Sequence, residues 1–283
     1  MTAQNAIGKM LLIYYMSFAM HNKNSRYFIK SVSKAFKVLQ SIAEANGSLS
    51  LSKIATSIGT DKTTATRLCY TLTELGFIHR DSQKRYHPTP KVLILGTSII
   101  SGLNWLELCR HYLERLFEEM QKTVNFSVLE GDEILYLIRI RKEKYLPFDI
   151  RMGTKLPLHC TAMGKALLAF GDPEKTGPII EKLELRQLTP RTITDPKHLM
   201  EELNKVRAKG YAINDEELTS LARSVSAPIL NHRGYAVAAI NIASPTTKCS
   251  LEEMVEIIGP RLIEVAREMS TALLQTNAPI VVN

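Results

Sequence analysis

Residues 51–68 read LSKIATSIGTDKTTATRL, and this stretch decides the N-terminal fold. Leu51, Ile54, Ala55 and Ile58 recur at helical spacing, so one face of a short helix turns inward. Ser50 stands at its N-cap position. Gly59-Thr60 then makes a tight turn, where glycine supplies a positive φ. Ala55 lets the next helix cross closely, and Ala65 and Leu68 close the packing. This is helix-turn-helix anatomy. The remaining face presents Lys62, Thr63, Thr64, Thr66, Arg67 and Tyr70, which can reach base edges and phosphates in a major groove. Asp61 suits a helix cap rather than a DNA contact, since phosphate repels it. An ordinary three-helix core with a polar surface is the plain alternative.

Working outward, residues 31–46 form a helix with Val32, Ala35, Phe36, Leu39, Ile42 and Ala43 as one apolar stripe, ended by Gly47. The helix over 61–75 turns Ala65, Leu68, Leu72 and Leu75 inward. Residues 77–80 (FIHR) and 85–88 (RYHP) read as a hairpin whose Arg80, Lys84 and Arg85 make a basic wing for backbone contact. The net charge of +8 lies wholly in residues 1–90, with 12 Lys+Arg against 4 Asp+Glu, while residues 91–283 carry 24 of each. A basic module joined to a neutral one is the electrostatic footprint of a nucleic-acid binder.

The second half reads differently. A helical stretch over 91–122, broken near Gly102, links the two parts. Strands are expected at 125–130, 134–140, 146–151, 211–214, 224–230 and 235–243, and helices at 162–170, 197–209 and 251–274. The fold class is therefore α+β: a winged helix-turn-helix over 25–90, a linker helix over 91–123, an α/β domain over 124–275 and a tail over 276–283. Residues 1–24 are an N-terminal extension. Its apolar run 10–20 (MLLIYYMSFAM) is too short to span a bilayer. It reads as an extra helix or as sequence upstream of a true start at Met16 or Met20, with a signal-peptide core the weaker reading. Cys69, Cys109, Cys160 and Cys249 are scattered without a CxxC pair, which favours neither a zinc site nor a disulfide framework and fits a cytoplasmic location. No cofactor or metal is called for.

Residues 153–169, GTKLPLHCTAMGKALLA, carry the most chemistry. Pro157 keeps the preceding backbone extended. Thr161 caps a helix whose first amides, on Ala162, Met163 and Gly164, form an anion-binding end. Gly164 allows close packing. The alternative is a buried helix start capped by its own side chain. His159 beside Cys160 hints at a nucleophile, but neighbours on extended backbone face opposite ways. Asp215-Glu216-Glu217 lacks a histidine at ligand spacing and reads as a loop lining or covering a pocket.

LPLHCTAMGKALLA (156–169), GYAINDEE (210–217) and SVSAPILNHRGYAVAAINIASP (224–245), together with the winged helix, resemble the IclR family of transcription regulators over about residues 28–275. LTPRTITDP (188–196), SVLEGDEILYLIRI (127–140) and Arg223-Ser224 resemble its protocatechuate, 4-hydroxybenzoate and β-ketoadipate subgroup. The resemblance implies a GAF-like effector domain, a homodimer or homotetramer, a palindromic double-stranded operator and a small carboxylic-acid effector, with no membrane partner. It places pocket positions on Ala162, Met163, Asn214, Asp215, Ser224, Asn241 and Ala243. Asn241 and Ala243 stand where members that bind small keto acids carry serines, which points to a larger, partly apolar ligand. Arg139, Arg151 and Arg223 are candidate counter-charges. A regulator of sugar-acid catabolism, a Cys160-dependent enzyme and a constitutive architectural DNA binder are the competing readings.

Overall fold

The computed structural model describes residues 26–45, 47–96, 104–141 and 150–275. The chain divides into two compact units, 1–102 and 103–283.

In the first unit, α1 (Lys30–Glu44), α2 (Leu51–Ser57) and α3 (Lys62–Glu74) pack over a three-stranded sheet in the order β1 (Leu49–Ser50), β3 (Arg85–Pro88), β2 (Ile78–Arg80). Their core joins Val38, Ile42, Ile54, Ile58, Cys69, Leu72, Ile78 and Tyr86. Gly59 has φ +63°, as the turn requires. Asp61 caps α3, its carboxylate accepting from Thr64 N at 2.8 Å. Ser50 occupies the N-cap of α2 without a side-chain cap bond, and as part of β1 it is also paired with Arg85. Two stripes differ from expectation. Cys69 takes the buried place in α3, while Leu68 is half-buried and Leu75 exposed. On α1, Val38 rather than Val32 or Phe36 faces the core; those two are 50% and 56% exposed. They line, with Ala35, Leu39, Leu75 and Leu95, an apolar groove of about 550 Å³. The α1 stripe is wider than the face two short helices cover, so part of it stays at the surface. Of the linker, residues 92–96 are helical; its expected break near Gly102 lies outside the described residues.

In the second unit, β4 (Thr123–Glu130), β5 (Glu133–Ile140), β6 (Lys155–Pro157), β7 (Ala212–Asp215), β8 (Ala222–Leu230) and β9 (Ala236–Pro245) make one antiparallel sheet, order β6-β5-β4-β9-β8-β7. Helices cover both faces. On one lie α4 (Asn104–Met120) and α8 (Gly259–Gln275), burying Val124, Phe126, Val225, Ala227, Ile229, Ala238, Ile240 and Ile242. On the other, α5 (Ala162–Phe170) and α7 (Pro196–Lys209) pack with Ile134, Tyr136, Ala212 and Ala239. A helix α6 (Pro173–Lys182), unforeseen in the sequence, follows α5; Asp172 caps it and Pro173 opens it. The last helix enters α8 through Leu251–Glu253 and a π-helical stretch Met254–Ile258. Of the strand expected at 146–151, residues 146–149 lie outside the described residues, and Ile150 and Arg151 are not in a strand. The strand described beside β5 is Lys155–Pro157.

Gly164 holds α5 in place. A Cβ there would run into the Leu158 carbonyl oxygen and come within 2.5 Å of Leu158 Cα. Gly164→Ala should therefore cost about 1–3 kcal/mol by forcing α5 outward. Urea unfolding of the native protein and the variant reads the difference.

Candidate functional site

The DNA-facing candidates lie together on α3 and the β2–β3 wing. Lys62, Thr63, Thr66, Arg67 and Tyr70 are exposed along α3, and Arg80, Lys84 and Arg85 are exposed on the wing. Several are partly committed within the fold. The Thr64 hydroxyl donates to Asp61 at 2.7 Å, so its role is capping and it has no free O–H for a base. The Thr66 hydroxyl donates to the Lys62 carbonyl at 2.8 Å, leaving only acceptor capacity outward. Arg85 donates to Ser48 Oγ at 2.5 Å, and Arg80 lies over the Tyr86 ring at 5.5 Å. Among the described residues, the side chains of Lys62, Arg67 and Lys84 make no hydrogen bond or ion pair. Lys84 sits at the turn with φ +62°.

The effector-pocket candidates gather on the α5 side of the sheet. Residues facing each other across strands share one face. One row runs Thr123–Ala243–Ser224–Asn214, and the next runs Arg139–Asn125–Asn241–Ser226–Ala212. Ser224, Asn241, Asn125 and Ser226 are all at most 5% exposed. Met163 of α5 reaches this floor, with Ser127 Oγ donating to its sulfur at 3.1 Å. The floor is thus made of small and polar side chains under an apolar roof. Asn125, Ser127 and Ser226 were missed by residue-level reading. The alternation Asn125-Ser127 and Ser224-Ser226 between apolar residues was the available signal.

Other candidates do different work. The Gly164 amide donates to Thr161 Oγ1 at 3.1 Å and is not free for a ligand; the helix start is partly capped by its own side chain. Asn214 Oδ1 accepts from Glu217 N at 2.8 Å, organising the turn after β7. Asp215 pairs with both Arg191 and Arg223, and Arg223 reaches Glu216 at 3.7 Å. Arg223 and Asp215 are therefore paired with each other at the sheet end. Thr189 and Thr192 hydroxyls donate to the Glu216 and Glu217 carbonyls at 2.7 and 2.6 Å. The 188–192 loop is sewn to the 215–217 turn.

Sequence reading also missed a buried ion pair. Lys165, 1% exposed in α5, holds Glu217 Oε1 at 2.6 Å and lies 3.6 Å from Glu202. Burial pushes the Glu217 carboxyl above the usual carboxylate range, and Lys165 draws it back. Cys160, the candidate nucleophile, is fully buried, and burial pushes its thiol up to about 12, with Glu217 adding to the rise. His159 Nε2 bonds the Arg186 carbonyl at 3.0 Å and does not serve that thiol. Among the described residues, no group of three His, Cys, Asp or Glu side chains is placed to hold a metal, and no helix is long and apolar enough to cross a membrane.

Lys165→Met strands Glu217 in the interior and should cost about 3–5 kcal/mol, with much of it recovered in Lys165→Met/Glu217→Leu. In the single variant the folded carboxyl holds its proton more tightly than the unfolded one. Its stability should therefore fall as pH rises from about 5 to 8, more steeply than in the native protein. Denaturant melts across that range give the slope. Native protein at about pH 8 should show no fast thiol reaction with a disulfide reagent, and unfolding should release all four cysteines.

Comparison with known proteins agrees with this geometry. The IclR helix-turn-helix domain matches residues 31–82, and the C-terminal domain of bacterial IclR transcriptional regulators matches residues 97–271. The Pca regulon regulatory protein of Pseudomonas putida is 30% identical over 86% of this chain and 83% of its own. The regulator BhcR of Paracoccus denitrificans is 32% identical over 86% of each. Thermotoga maritima IclR superposes with a TM-score of 0.66 at 32% identity, covering 87% of this chain and 99% of that one. The inducer-binding domain of Acinetobacter PobR, a double mutant in complex with 3-hydroxybenzoic acid, gives 0.54 at 30% identity over 58% of this chain and 96% of its own. With a helix-turn-helix that exposes a cationic face, a two-faced α/β domain and family matches over both units, this chain belongs to the IclR family of DNA-binding transcription regulators.

Proposed function

We propose that the protein controls a catabolic operon in response to a small aromatic acid or a β-ketoadipate-type acid. The carrying observation is the α5-side floor: buried amides and hydroxyls under Met163 and beside Tyr136 suit a flat, partly apolar molecule with an acidic or oxygenated end. The names of two relatives, a Pca regulon regulator and PobR bound to 3-hydroxybenzoic acid, support the same class. Ala162 and Met163 form the roof in this reading, and Asn241, Ser224 and Ala243 the floor. A thermal-shift screen should show aromatic or β-ketoadipate-type acids raising the melting temperature. Stabilisation by sugar-derived acids alone would replace the effector class and leave the regulator reading intact.

On the DNA side, Lys62, Arg67 and Tyr70 enter the major groove, with Lys84 on the backbone. The operator is palindromic and the protein binds it as a homodimer or homotetramer, since one winged helix covers too little DNA for tight specific binding. The exposed groove beside Val32, Phe36 and Leu95 supplies an apolar contact for that assembly. In gel-shift titrations, Arg67→Ala should weaken operator binding by about 1–3 kcal/mol while leaving non-specific binding nearly unchanged. Lys84→Ala should weaken all sequences and flatten the salt dependence. Native affinity in both variants would dismiss this face.

A further inference from the structure

We propose that Arg139 and Asn125 set the hydrogen-bond polarity of the effector site, turning the amide N–H2 of Asn241 toward the ligand so that the site selects a carboxylate or keto oxygen. The inference rests on reading the α5-side floor as the effector site. A guanidinium has donors only. Arg139 Nη1 lies 3.0 Å from the Asn125 side chain, so the atom facing it is Oδ1. The other end of Asn125 is then its N–H2, and it donates to the Asn241 side chain at 2.6 Å. That contact fixes Asn241 with its Oδ1 inward and its own N–H2 outward. One cation thus orients two amides that could otherwise point either way.

The outward amide is poised for a ligand. Asn241 is 4% exposed, and among the described residues nothing accepts from its N–H2. The neighbouring hydroxyl in the row, Ser226, is turned away and donates to the Ile240 carbonyl at 2.8 Å. An acceptor oxygen from a bound molecule would give that N–H2 a hydrogen-bond partner. Arg139 reaches this face through a bulge in β5. Phe126 pairs with Ile138 and Ser127 with Tyr136, so Leu137 is the extra residue. Without it Arg139 would fall on the α4/α8 face, opposite Tyr136.

The test uses the full-length protein and matched carboxylate/carboxamide pairs, aromatic (4-hydroxybenzoate and 4-hydroxybenzamide) and aliphatic (adipate and adipamide), followed by calorimetry. The native protein should bind at least one carboxylate better than its amide. In Asn125→Asp the new carboxylate still accepts from Arg139 and now also accepts from Asn241, whose amide turns over and offers oxygen to the ligand. Affinity for the acid should then fall by about tenfold or more while that for the matching amide holds or rises. Asn241→Asp, which keeps the bond from Asn125 but faces the ligand with oxygen, is the second variant and should lose the acid too. Thermal melts by circular dichroism establish that each variant is folded. A merely structural role would lower both affinities together and leave the acid-to-amide ratio unchanged, which would overturn the inference. So would native binding of no carboxylate in the panel. Binding of the aliphatic acid alone, with the ratio inverted in Asn125→Asp, would sustain the inference and remove the aromatic effector class.

Discussion

The central strands β4, β8 and β9 are buried on both faces, and only one face is hydrophobic in the ordinary way. Val225, Ala227, Ile229, Ala238, Ile240 and Ile242 enter the core under α4 and α8. The alternate positions carry Ser224, Ser226, Ala239, Asn241 and Ala243. Period-two alternation usually separates core from solvent; here it separates core from a buried polar surface. That surface is tolerable because the other face supplies the apolar burial that holds the sheet. The α4/α8 side is therefore a precondition for the polar α5 side.

The roof over that floor is held by contacts of several kinds. Gly164 lets the first turn of α5 lie against Leu158, and Thr161 caps it. Lys165 ties the next turn to Glu217, and the Thr189 and Thr192 hydroxyls tie the 188–192 loop to the same segment. Glu217 is thereby joined to α5, to the loop and, through Asn214, to the end of β7. The position of α5 over the sheet is thus fixed by the protein's own contacts. The same buried carboxylate is expensive if Lys165 is lost, so the frame has little tolerance for partial change.

In the DNA-binding unit, structural and contact duties are divided among adjacent residues of one helix. Asp61 and Thr64 finish the α3 N-terminus, Ala65, Cys69 and Leu72 fill the core, and Lys62, Arg67 and Tyr70 remain on the surface. Three-residue offsets place these groups on distinct faces. A polar residue at the start of a recognition helix therefore does not automatically belong to the contact set.

Much of this was legible in the sequence. Gly59, Asp61 and the apolar spacing of residues 51–72 determine the helix-turn-helix, because turn chemistry, capping and helical periodicity are local properties. The net charge confined to residues 1–90 separates the two modules, and the apolar runs on either side of Asn231-His232-Arg233-Gly234 mark the paired strands β8 and β9. Tertiary structure decided what depends on distant partners. It paired Lys155–Pro157 with β5, turned Arg139 to the Asn125 face through a one-residue bulge, and joined Lys165 to Glu217 across 52 positions. It also removed Arg223, Asp215 and the Gly164 amide from the free groups by giving each a protein partner. A residue type announces the hydrogen bonds it can make; only the packed chain determines which of them are already made.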